Sequence, residues 1–282
     1  MLEINPDIFN ETMFPFWTFV VFLMGACFGS FLNVCTLRMP QGESVVNVPS
    51  HCPQCNNDLA WYDNIPLVSW TVLNGKCRKC KCKIPYRYFL MELVTAVMTT
   101  VLFAKIIITH QPLNFIFPYF IVTCFVITTA VIDFEHFIIP NKTTYTVIIL
   151  GFITSAFVPE IHGMGNWIGG LIYSLIGFVV AGGAFAIFAI VGEKIFKQEA
   201  LGFGDVKYIA AIGAILGWEG AFYSTLLGSI FGGLFGIYLM IKNRKNEGRT
   251  EIPFGPYLAA GTYLWILYGD VILTIMQNNT KY

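Results

Sequence analysis

Two short stretches set carboxylates beside long apolar runs: AVIDFEHFIIPN, with Asp133 and Glu135, and LGFGDVK, with Asp205. A charged side chain at membrane depth costs a few kcal/mol on insertion scales, so an ionisable group beside a span is read first as functional. Two carboxylates brought together cannot both ionise cheaply and therefore share a proton. The ionised member can activate a water while the protonated one polarises a peptide carbonyl. That chemistry needs no metal and no serine or cysteine nucleophile. Gly202 and Gly204 would let backbone come close to a bound extended peptide. Lys207 could be a phosphate- or substrate-facing charge, but interfacial snorkelling is the reading preferred for it. Taken singly, each aspartate also reads as a helix-end carboxylate, with Asp205 complementing a helix dipole. His136 has no second histidine at ligand spacing, which argues against a metal beside Glu135.

A second constellation lies in the polar segment 38–85. CPQC (Cys52, Cys55) and CRKC (Cys77, Cys80) are separated by 21 residues, and Cys82 follows two positions later. Two such knuckles can hold zinc through four thiolates, at a spacing just beyond the usual range. A small loop with little core of its own gains its fold from such a metal. Disulfides are the rival reading, and a reducing compartment argues against them. Cys82 or His51 stands as an alternative for one ligand. Cys27, Cys35 and Cys124 fall in apolar runs and read as small core residues.

The elements that must position these residues are membrane spans. The chain is 56% hydrophobic and 12% charged, with a mean hydropathy of +0.65; a soluble domain is usually about a quarter charged. A net charge of zero gives no bulk attraction to nucleic acid. Glu3, Asp7 and Glu11 precede the first basic residue, Arg38. This is the wrong pattern for a signal peptide, so the run 16–37 reads as a retained helix. Further runs lie at 86–109, 115–132, 143–158, 167–192, 206–217, 221–241 and 256–276. An all-α polytopic membrane protein with about eight spans follows. Alternating them puts 38–85, 133–142, 193–205 and 242–255 on one side. With the adjoining helix ends, these carry 15 of the 17 Lys and Arg residues, which assigns that side to the cytoplasm. Without the short run 206–217, the basic 242–255 loop would fall outside. Asp133 ends the third span and Asp205 opens the sixth, so both emerge on one face although 72 residues separate them. Gly25 and Gly29, and Gly228, Gly232 and Gly236, repeat at four-residue spacing and suit close helix packing.

Several ordered motifs together carry a resemblance: GSFLNVCTLRMP (29–40), SHCPQC (50–55), WYDNIPLVSW (61–70), GKCRKC (75–80), IPYRYFLMEL (84–93), IDFEHFIIPN (132–141), LGFGDVK (201–207) and IPFGPYLAAG (252–261). The chain resembles the bacterial type IV prepilin peptidases, bifunctional leader peptidase/N-methyltransferases with a GxGD aspartate. The resemblance implies a multi-pass enzyme of the bacterial cytoplasmic (inner) membrane. Such an enzyme removes the short basic leader of prepilins and pseudopilins at the cytoplasmic face, with Asp133 and Asp205 as the catalytic pair. It further implies methylation of the newly exposed amine with S-adenosylmethionine, associated with an N-terminal region (1–110) that holds the cysteine loop. Residues 111–282 would then form the peptidase domain. No Gly-rich Rossmann-type fingerprint marks a methyl-donor site. Asn141 stands where many relatives have Asp. Two other classes fit parts of the pattern. One is a transporter or channel using the aspartates for protons or cations; the other is a pilus-assembly scaffold whose zinc loop docks a partner. The transporter reading leaves the four-cysteine loop and the full motif order unexplained.

Overall fold

In lipid, an apolar run satisfies its own backbone only by forming a helix, and helices dominate the computed structural model. It describes residues 13–46, 50–52, 54–197, 202–242 and 252–279. The acidic N-terminal residues Glu3, Asp7 and Glu11, the basic residues Arg244, Lys245 and Arg249, and Lys281 lie outside the described residues. Among the described residues there are eight α-helices and no strand, only isolated bridges. Two compact units divide between Ile116 and Phe117.

The first unit contains α1 (Phe14–Arg38), α2 (Val68–Val72) and α3 (Tyr86–Ile108). Gly29 lets α1 lie directly on α3: a Cβ there would stand 2.7 Å from the Cα of Glu92. Between the two long helices runs the cysteine loop. Its backbone is fastened to α3 by Glu92, whose Oε2 accepts the Leu67 N–H at 2.7 Å. Leu67 has a positive φ of 63° and centres a tight turn closed by Val68 N–H to Pro66 O. Glu92 is buried, and one helical turn away Arg87 donates to Asn33 Oδ1 and Thr36 Oγ1 on α1. Cys35 is buried and Cys124 half-buried, but Cys27 lies exposed on α1. Helical periodicity turns Cys27 to the face away from Gly25 and Gly29.

The second unit contains α4 (Ile116–His136), α5 (Asn141–Phe157), α6 (Trp167–Phe196), α7 (Phe203–Lys242) and α8 (Gly255–Asn279). Among the described residues, six helices are long and apolar enough to cross a membrane; α5, at 17 residues, is shorter. The sequence pattern divides 206–217 from 221–241, whereas the structure carries both in the 40-residue α7. A straight helix of that length would run ~60 Å, about twice the hydrocarbon core. The chain breaks it at Gly217 (φ 75°, ψ 176°), a region open essentially to glycine alone. Contacts with α8 show the reversal. Tyr208 meets Thr262, Gly220 faces Trp265, and then Gly228 and Gly232 step back to Leu258 and Phe254. The segment 203–216 is thus one arm of a hairpin and 218–242 the other. A Cβ at Gly217 would also strike Tyr173 at 2.6 Å. Near the reversal, hydroxyls of Ser155 and Ser174 both donate to the carbonyl of Ala214. They satisfy backbone close to the break, as helix interruptions in membranes require.

Candidate active site

The residues of the aspartate cleft come from helix ends and the short loops that flank them. Asp133 lies in the last turn of α4, where Phe137 stops the helix in a left-handed conformation (φ 57°) and donates its N–H to Asp133 O at 2.9 Å. Such a conformation is costly for a bulky residue and is retained where surrounding structure enforces it. Pro140 then precedes Asn141, the first residue of α5. Asp205 sits in the first turn of α7, which opens with Asp205 N–H to Gly202 O at 3.0 Å. Asp133 and Asp205 line one cleft of roughly 280 Å³ together with Phe137, Ile139, Asn141, Phe203 and Lys207. Gly202 and Gly204 line it as well. A Cβ at Gly204 would press to 3.3 Å from that of Ile139, while one at Gly202 would meet only Asp205 Oδ2 at 3.5 Å.

The two carboxylates are held differently. Asp133 is buried, and its Oδ2 accepts the N–H of Gly255 at 2.8 Å. Gly255 opens α8, so Asp133 receives a helix-terminal amide as well as the favourable end of the dipole. A Cβ on Gly255 would sit 2.7 Å from Asp133 Oδ2 and 2.9 Å from its Cγ, so only glycine permits the contact. Asp205 is half-exposed and accepts no hydrogen bond from the described residues. One turn deeper, buried Tyr208 stacks on Phe125 of α4 (centroids 4.9 Å apart) and hydrogen-bonds Thr262 of α8 at 3.0 Å. That layer fixes the three helices bearing Asp133, Asp205 and Gly255.

Gly255 was not assigned a role by sequence reasoning, although the Gly-Pro step of IPFGPYLAAG marks a helix start. Its partner lies 122 residues away. Lys207 is placed beside the carboxylates: its Nζ donates to Asn141 Oδ1 at 2.8 Å and lies over the rings of Tyr145 and Phe203, 6.0 and 5.8 Å from their centroids.

In the first unit, Cys52, Cys55, Cys77 and Cys80 place their Sγ atoms within 4.8 Å of one another, so the group can hold a metal. The two knuckles repeat each other's backbone. Cys52 N–H bonds Asn57 O and Asn56 N–H bonds Cys52 O; Cys77 N–H bonds Cys82 O and Lys81 N–H bonds Cys77 O. Asn56 and Lys81 occupy the same left-handed position, with φ of 51° and 60°. Backbone N–H groups of Cys55 and Gln54 bring the Cys52 thiol down to about 6. The N–H of Cys82 likewise lowers Cys80. Amides directed at sulfur favour thiolates, the form a metal binds. Cys52 and Cys80 Sγ are 3.7 Å apart, close to the ~3.8 Å edge of a tetrahedron with metal–sulfur bonds of 2.3 Å. His51 is outside the group of four. Cys82 Sγ lies 3.5 Å from Cys52 Sγ, hydrogen-bonded to Cys80 and Cys52, which push its thiol up to about 12.

Comparison with known proteins decides the family. Residues 23–106 match the bacterial peptidase A24 N-terminal domain, and residues 120–237 match the type IV leader peptidase family. A prepilin leader peptidase/N-methyltransferase of Aeromonas salmonicida (strain A449) is 31% identical over 289 aligned positions, covering 90% of this chain and 91% of the relative. The chain belongs to the type IV leader peptidase family. Another member of the same name, from Myxococcus xanthus (strain DK1622), is 34% identical over 237 positions, 84% of this chain and 67% of its own. One from Pseudomonas aeruginosa is 30% identical, covering 89% of this chain and 90% of the relative. No solved structure matches the chain. Of the leader peptidase match, 120–237, the structure gathers Asp133 and Asp205 into one cleft, while Gly255 lies beyond it.

Proposed function

We propose that the protein cleaves the leader of type IV prepilins or pseudopilins with Asp133 and Asp205, and N-methylates the amine that cleavage exposes. The observation that carries this reading is the cleft shared by the two aspartates in a member of this family. The Gly255 amide favours negative charge on Asp133. Asp133 is accordingly the member that activates water, and Asp205 holds the shared proton and polarises the scissile carbonyl. As the tetrahedral centre collapses, the proton taken by Asp133 passes to the leaving amine and the leader departs. Gly202 and Gly204 admit the extended backbone of the substrate, and Lys207 faces it.

Cleavage leaves a free α-amine with a pKa near 8, of which roughly a tenth is neutral and nucleophilic at pH 7. S-adenosylmethionine supplies the methyl group. Residues 1–110 are the region associated with this step, and residues 111–282 the peptidase. Cys52, Cys55, Cys77 and Cys80 fit zinc, whose role there is to fix the two knuckles. The charge bias of the loops supports a cytoplasmic position for the cysteine loop and for the aspartates. A pilin's own apolar helix would stay in the bilayer and present its junction there.

Mass spectrometry of a prepilin incubated with purified enzyme and S-adenosylmethionine tests the reading. Wild type should yield a product lacking the leader and carrying one added methyl group, and Asp205→Asn should yield neither. A prepilin left intact by wild type would refute the peptidase assignment.

A further inference from the structure

Lys207 is a cation held entirely by neutral groups. Its ammonium donates to the amide oxygen of Asn141 and is flanked by the rings of Tyr145 and Phe203. No carboxylate among the described residues forms an ion pair with it. The amide and rings orient the charge without neutralising it, which leaves its attraction for an anion intact. The same cleft contains Asp133 and Asp205. A working aspartate pair carries one negative charge, which would repel any acidic side chain of a substrate near the scissile bond. Lys207 stands where that repulsion must be answered. Its hydrogen bond to Asn141 lies at the exposed rim of the cleft, where a substrate side chain can reach the ammonium.

We propose that Lys207, oriented by Asn141, is a specificity subsite that binds a carboxylate side chain of the substrate close to the scissile bond. The proposal rests on the peptidase reading and concerns the same cleft. In the complex, the substrate carboxylate accepts from Nζ while Asn141 and the ring faces keep the ammonium in place. A lysine ammonium has three donors, so one can stay on Asn141 while another reaches the substrate.

The test is steady-state cleavage of a prepilin series in which each Asp or Glu near the cleavage point is changed singly to its amide. Wild type should lose about tenfold in KM at one of these positions, as expected for a charge-assisted hydrogen bond. Lys207→Gln should show no such discrimination, treating acid and amide substrates alike. Lys207→Glu should instead favour a substrate with lysine at that position, a reversal that loss of structure cannot mimic. Asn141→Asp keeps Lys207 but gives it an internal carboxylate, and should shrink the wild-type discrimination by several-fold. Equal KM values for acid and amide substrates with wild type would overturn the proposal. So would discrimination that survives in Lys207→Gln. Wild type cleaving every substrate equally well would refute this subsite while leaving the peptidase reading standing; failure to cleave any would refute both.

Discussion

The thiol cluster draws its four sulfurs from two stretches, 52–58 and 77–83, that repeat each other's backbone bonds. The aspartate cleft instead relies on helix ends, through hydrogen bonds that bridge 66 and 122 residues of sequence. In the loop, each knuckle pre-forms locally and needs only its twin to gather the four sulfurs. In the membrane unit, no segment means anything until α4, α7 and α8 are packed. The first kind of site can be lost without disturbing the helices; the second depends on every contact that sets those ends in register.

Substitutions can break this contrast, and the largest effect belongs to the aspartates. Asp133→Asn or Asp205→Asn should each lower cleavage by at least about 10³-fold, with protein level unchanged, while pilin already cut is still methylated; mass spectrometry on cut and uncut substrates reads both. Gly255→Ala comes next. Its Cβ would overlap Asp133 Oδ2 and displace the carboxylate, for a drop of about 10–100-fold in kcat. Gly217→Ala should act on stability instead, by about 2–4 kcal/mol, because it combines a forbidden φ with a clash on Tyr173; thermal unfolding in detergent measures it. Cys52→Ser should abolish stoichiometric metal but change cleavage by no more than about threefold, since the aspartate unit has its own packing. A large fall in cleavage would erase the distinction between the two sites.

A smaller effect concerns pH. His162, between α5 and α6, is half-buried against Tyr173 and bonded to Ser155, and desolvation lowers it to about 4. Between there and the unfolded value near 6.5, the unfolded chain binds a proton that the folded chain refuses. Stability should therefore fall as pH drops through that window. His162→Gln should flatten this part of the pH–stability curve.

What was legible in the sequence follows the same division. CPQC and CRKC announce their pairing because ligands three residues apart are a local signal. The shared face of Asp133 and Asp205 was also legible, since counting helix crossings needs no knowledge of packing. The hairpin in α7 was visible as two apolar runs, 206–217 and 221–241, though not that the break between them is the single residue Gly217. Gly255 could be seen only as a helix start, because what makes it necessary is a carboxylate on another helix. Glu92 lay within an apolar run and gave no hint of the Leu67 amide it holds. Cys27 was misread as core because composition alone does not say which side of α1 faces outward.

The reversal at Gly217 has a consequence for the lipid. Residues 203–216 rise only ~21 Å and the neighbouring α5 ~25 Å, against a hydrocarbon core of ~30 Å. The two short helices touch, Gly151 against Ala214 and Ile215, so their deficits add along one flank of the unit. Thinning of the lipid there would meet them, at a fraction of a kcal/mol for each ångström. Such a dimple lets water stand at a level that remains oily elsewhere in the bilayer, and hydrolysis consumes water. Cleavage rates compared between vesicles of long-chain and short-chain lipid should then differ, the thicker bilayer giving the slower turnover.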